Sequence, residues 1–352
     1  MMFKKVSLVL LCLMLSLSVG CKKTPQALSV DRGDEPSVPE VVIEETPKYS
    51  VNPLTGIENL TIGKELDRPV AITINNISVA QPVQTGLSKA DIVYETEVEG
   101  GITRLVAVFQ DISKITKIGT VRSARYAFID IAMGHNAIYV HHGQDSRHAG
   151  PHLKHVDNFI VSENNGGVRT SNGLSREHTL YAYGDALWNQ IVKDGFNTKA
   201  TKTTPWQTFA AEDAPVTFAN TANKVSVPFS ASYKTTMQYN ETNQMYVRFF
   251  NGVERKDYVT GESEYFKNVF VLNTTIRTYP NCTDGKNHRE VLLNSGNGYY
   301  FVNGTYTAIK WSKGASSNSF SFTLEDGTPL TVNPGNSWVC IADMNRSKAI
   351  IE

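Results

Sequence analysis

Hydrophobic positions fall into three textures along this chain. From Val6 to Val19 they are nearly continuous, and from Lys22 to Tyr49 they are sparse and without period. Beyond that they form short runs punctuated by Gly, Pro, Asn and Asp. Val70 to Ile74 reads as a buried strand ending at Asn75 and Asn76, and Leu87 to Ala90 as a short helical turn. Asp91 opens a second strand in which Tyr94, Thr96 and Val98 share one face while Glu95, Glu97 and Glu99 share the other. Gly100-Gly101 permits a sharp turn. The run Thr103 to Gln110 then returns antiparallel and brings Arg104 toward the glutamate face. Ala124, Phe128, Ile131 and Ala132 have helical spacing, so Arg122 and Arg125, three apart, are expected on one face of a helix's first turn. Ala137 to His142 is another short strand, Gly184 to Val192 a helix, and Trp206 to Ala210 a strand expected to close the sheet.

After Glu212 the pattern changes to alternating or short apolar runs between turns such as Glu325-Asp326-Gly327 and Pro334-Gly335-Asn336. The expected organisation is an α/β or α+β N-terminal domain with a mixed central sheet over residues 51–212. A β-rich C-terminal domain follows over residues 213–352. Tyr299, Tyr300, Tyr306 and Trp311 could stack on sugars, although core packing accounts for such residues equally well.

The ends of the first texture carry targeting information. Lys4 and Lys5 precede an apolar run too short to span a bilayer stably, and Gly20-Cys21 closes it. Residues 1–20 read as a signal peptide whose Leu-Ser-Val-Gly-Cys ending resembles a bacterial lipobox. That resemblance implies cleavage before Cys21 and lipid on its sulfur. Residues 21–50, with Pro25, Pro36, Pro39 and Pro47, cannot bury enough surface to offset ordering entropy and read as a tether.

Composition adds exclusions. The 352 residues carry 34 basic and 34 acidic side chains, and no basic stripe points to nucleic acid as a partner. Of four cysteines, Cys12 and Cys21 belong to the leader, which leaves Cys282 and Cys340 as a disulfide or as two thiols. His148 and His152 have metal-ligand spacing, but Gly150-Pro151 interrupts the helix between them, so neither a metal nor another cofactor is expected.

The candidate site collects charges at the ends of apolar runs. Glu95 and Glu99 face Arg104, and Arg122, Ser123 and Arg125 lie before the helix. His141 ends a strand, and Arg176 and His178 could join the same cleft. Two guanidinium groups at a helix start oppose its dipole, a cost explained if an anion sits there, whether an internal carboxylate or a ligand.

Three blocks carry a resemblance: Ala90-Asp91-Ile92-Val93-Tyr94-Glu95, Glu99-Gly-Gly-Ile-Thr-Arg104 and Val121-Arg-Ser-Ala-Arg125. With Arg68-Pro-Val-Ala71 they make the chain similar to the YerB-like lipoproteins, a bacterial family of unassigned function. The resemblance implies a signal peptide and two successive domains, and it supplies no reaction. Gly143-Gln144-Asp145 and Glu177-His178-Thr179-Leu180-Tyr181 depart from the family pattern, which bears on the ligands near His141 and His178.

Besides a purely structural partner for a membrane complex, two functions remain. One is a lipid-anchored extracytoplasmic protein of the bacterial envelope, held at the membrane through Cys21, that binds an anionic cell-wall polymer or an envelope protein through an Arg/Glu/His cleft. The other is a cell-wall hydrolase or transferase with Glu99 or His141 as general base. Against the second stand the missing Gly-x-Ser-x-Gly, Ser-x-x-Lys and metal motifs.

Overall fold

The middle of the molecule is strand Ile92–Glu99, buried except at its last residue. A run of Ile, Val, Tyr and Thr favours extended backbone and packs well when covered on both faces. It pairs antiparallel with Ile102–Phe109 across the glycine turn, as the sequence pattern predicts. Its other neighbour comes from the far end of the chain: Ser337–Asp343 runs parallel to it, with Ser337 opposite Ile92 and Ile341 opposite Thr96.

A computed structural model describes residues 48–280, 282 and 285–352. The signal peptide, Cys21 and all of the tether but its last three residues lie outside the described residues. Eleven strands make one mixed sheet. On one side of Ile92–Glu99 the order continues through Ile102–Phe109, Val70–Asn75, Ile138–His141 and Asn158–Ile160. On the other it continues through Ser337–Asp343, Asn268–Thr274, Ser295–Val302, Thr305–Ser312 and Asn220–Thr221, with Ser321–Leu324 beside Thr305–Ser312. The sheet therefore passes without interruption from strands before residue 212 to strands after it.

Two apolar layers cover the sheet. On one face Val93, Leu105, Ala107 and Trp338 meet Val225, Val227, Phe229 and Met237 of a second, six-stranded sheet, together with Leu187 and Ile191 of helix α2 (Gly184–Lys193). On the other face Tyr94, Val106 and Val108 meet Phe128, Ile131 and Ala132 of helix α1 (Tyr126–Gly134), joined by Trp206, Phe320 and Phe322. Each of these large side chains contributes roughly 1.5–3 kcal/mol by leaving water.

Three expectations change. Of the two classes expected for the region 51–212, α/β or α+β, the first is not clearly met: α1 and α2, at 9 and 10 residues, are the only α-helices among the described residues, and strands dominate. Thr208–Phe209 does not close the main sheet; it pairs with Thr331–Val332 in a separate two-stranded ladder. Arg122 and Arg125 are not on a helical turn, since Arg125 is the extended cap residue before α1 and Arg122 lies further back. Among the described residues no helix is long and apolar enough to cross a membrane.

Candidate functional site

Strict alternation would put Glu99 on the face of Glu95 and Glu97. The ladder instead slips between Glu97 and Glu99: Glu97 opposes Thr103 while Glu99 opposes Ile102. A bulge of this kind adds a residue to one strand and re-aims the side chains beyond it. Val98 packs with the α1-side cluster, and Glu99 follows it to that side, where it meets Arg125 of the α1 cap in an ion pair.

The guanidinium groups converge there. Arg104, 3% exposed, donates through Nη1 to the Ser123 carbonyl at 2.9 Å. Arg125 donates to the Ala124 carbonyl at 2.8 Å and approaches the same Ser123 carbonyl at 3.5 Å. Burial pushes Arg104 well below the ordinary arginine range, and the positive charges of Arg125 and Arg122 push it the same way. Glu99 answers them. Burial would raise its carboxyl, but Arg125 and Arg104 together hold it below the usual 4.5. Arg122 reaches outward to Glu177, donating to its carboxylate and its carbonyl, each at 3.1 Å. Glu177 is mostly exposed, so this pair is a surface salt bridge worth about 0–1 kcal/mol.

Backbone geometry fixes the segment that carries these groups. Val121 N donates to the Leu180 carbonyl at 2.8 Å, and Ala124 N donates to the Gly143 carbonyl at 2.9 Å. Gly143 has a φ of +77°, and a Cβ there would stand 3.1 Å from the Ser123 hydroxyl oxygen. Ser123 thus contributes its carbonyl to the cluster, while its hydroxyl faces the side of Gly143 that a Cβ would occupy.

The other candidates separate. Glu95 is fully buried on the opposite face, where Asn76 Nδ2 and Thr103 Oγ1 donate to its Oε1 at 2.9 and 2.8 Å. Burial raises its pKa, and nearby Arg248 opposes the rise. Glu97, also fully buried, pairs with Arg346 at 3.2 Å and Arg289 at 3.0 Å. The acidic run is therefore neither an exposed edge nor one site; its three carboxylates serve three different sets of partners. His141 is 0% exposed, and its Nδ1 donates to the Gly143 carbonyl at 2.7 Å. Burial lowers its pKa, which favours the neutral ring. Arg176 turns away and pairs with Glu163 at 2.9 Å. His178 stays near, accepting from Asn75 Nδ2 at 2.9 Å and facing Glu177 at 3.4 Å through Nε2.

Four neighbours lie outside the candidate set read from the sequence. His288 lies 3.6 Å from Glu99 and 3.7 Å from Asp145, Asp145 accepts from His148 at 2.8 Å, and Glu177 holds Arg122. Nothing local marks His288, which reaches Glu99 through a backbone bridge from a distant part of the chain. Glu177, beside His178, was the more findable of the four. Among the described residues no three His, Cys, Asp or Glu side chains are arranged to hold a metal ion. Cys282 and Cys340 are unpaired, and burial raises the Cys340 thiol well above its ordinary pKa.

Comparison with known proteins matches two stretches of the chain. Residues 54–197 match the N-terminal domain, and residues 225–339 the C-terminal domain, of a family described as "Protein of unknown function (DUF3048)". "Putative lipoprotein YerB" of Bacillus subtilis (strain 168) is 31% identical over 306 residues, covering 85% of this chain and 88% of that protein. The crystal structure of the YerB protein from Bacillus subtilis superposes with a TM-score of 0.71 at 27% identity, covering 85% of this chain and 98% of that one. The resemblance seen in the glutamate hairpin and the arginine block thus extends over most of the molecule, and the chain belongs to the DUF3048 family, with both its N-terminal and its C-terminal parts.

Proposed function

We propose that this protein is a lipid-anchored extracytoplasmic lipoprotein of the bacterial envelope that binds an anionic envelope polymer or partner at the Arg104–Arg122–Arg125 cluster. The name of its Bacillus subtilis relative and the lipobox-like Gly20-Cys21 support the anchor. One observation carries the binding reading: Arg104 and Arg125 share one inward carboxylate, Glu99, while Arg122 brings a third positive charge toward them whose own partner, Glu177, is mostly exposed. Like charges held together cost energy that a multivalent anion offsets. Because Glu177 is weakly held, a phosphate or carboxylate ligand can displace it from Arg122 at little cost.

The alternative, a hydrolase or transferase, gains no support from its two proposed bases. Glu99 is paired and kept ionised, which makes it a weak base, and His141 is sealed from solvent.

Titrating the full chain with polyglycerol phosphate tests the binding reading. Arg122→Ala should weaken affinity by about tenfold, the loss of one charge-assisted contact, with the melting temperature little changed. A heavy loss of stability with unaltered affinity would make the arginine structural.

A further inference from the structure

A hollow lies away from the arginines, at the end of the strands Asn268–Thr274 and Ser295–Val302, with a volume of about 610 Å³. That is within the range of small-ligand pockets, roughly 300–1,000 Å³. Its chemistry is unusual for a surface where charged residues are common. Asn273, Asn294 and Asn297 line it with Thr275 and Tyr299, and Lys348 is its one charged residue. The two strands pair with Val271 opposite Tyr299, so alternation sets Asn273, Asn297 and Tyr299 on the same face of the sheet. None of the three amides has a side-chain hydrogen bond to another described residue. Of the four aromatics that could meet a sugar, Tyr300 and Trp311 are buried in the core, and Tyr299 is the one that lines this hollow.

We propose that this hollow is a glycan-binding site, taking one or two hexose units rich in hydroxyl and amide groups, with one carboxylate directed at Lys348. A side-chain amide offers both donors and an acceptor, which matches hydroxyls and N-acetyl groups that also do both. Tyr299 supplies the aromatic surface against which the C–H bonds of a sugar ring pack. Without carboxylates in its lining the hollow does not repel an acidic sugar, and with a single cation it is poorly matched to a polyphosphate. This site is independent of the arginine cluster and stands whether or not that cluster binds an anion.

Calorimetric titration of the full chain in a sugar-free zwitterionic detergent tests the proposal with two probes, di-N-acetylchitobiose and the N-acetylglucosamine–N-acetylmuramic acid disaccharide. Both should bind. Asn297→Ala and Tyr299→Ala should each weaken both probes by about fivefold, the loss of roughly one contact, and Lys348→Met should weaken only the acid-bearing disaccharide. Asn297 is exposed, so its variant keeps the fold and remains informative if Tyr299→Ala does not. Absence of binding by either probe at about 10 mM, well above the weakest affinity expected of a site, overturns the proposal. So does binding that neither Asn297→Ala nor Tyr299→Ala alters.

Discussion

Arg248 shows what burying a charge demands. It is 0% exposed, lies 4.5 Å above the Trp338 ring, and donates to Glu264 at 2.8 Å, Asn76 at 3.0 Å, and Gln84 and Gln81 at 3.2 Å. Asn76 also donates to Glu95, so the sequence's first candidate carboxylate belongs to a structural network between two sheets. Because burial raises the Glu95 pKa, the folded protein holds its proton at a higher pH than the unfolded chain. Its contribution is then fully present below the unfolded value of about 4.5 and is lost as pH rises through the folded value. Glu95→Gln keeps the acceptor for Asn76 and Thr103 and removes the titration. Chemical denaturation from pH 4 to 8 should give a flatter stability curve for this variant, with a change below about 1 kcal/mol at neutral pH. An unchanged slope would show that Glu95 does not titrate there.

Elements were legible where a local pattern decides them. The glycine hairpin, α1, α2 and the strand ending at His141 follow from period and punctuation and appear close to the expected positions. The bulge after Glu97 was not legible, because nothing in Glu97-Val98-Glu99 says that two residues will oppose one; partner strand and α1 packing decide it. Nor was the arginine segment, whose apolar spacing resembles a helix while its backbone is held extended by bonds to Leu180 and Gly143. The start of α2 gives a test at this scale. Gly184 N donates to the Ile115 carbonyl at 2.9 Å, and a Cβ at Gly184 would stand only 2.0 Å from the Ile112 carbonyl oxygen. Gly184→Ala should cost about 2 kcal/mol by forcing the helix off its support, read as a lower denaturant midpoint at constant m. A cost under about 0.5 kcal/mol would mean that α2 shifts freely.

The whole molecule explains why so little of the site could be read in advance. Ser337–Asp343 joins Ile92–Glu99, so chain segments far apart in sequence become neighbours, and His288, likewise distant in sequence, comes to lie near both Glu99 and Asp145. What the sequence did carry was the chemistry of the cluster itself: Glu99, Arg104, Arg122, Ser123 and Arg125 do come together, although Glu95, His141 and Arg176 do not join them. The account rests on that cluster being a seat for an anion. Its most direct test is a crystal of the full chain soaked in tungstate, with the anomalous signal as readout. Tungstate within hydrogen-bonding distance of Arg122 and Arg125, with Glu177 swung aside, is the predicted result. A cluster left empty, with Glu177 still on Arg122 while tungstate occupies other sites in the same crystal, would contradict it.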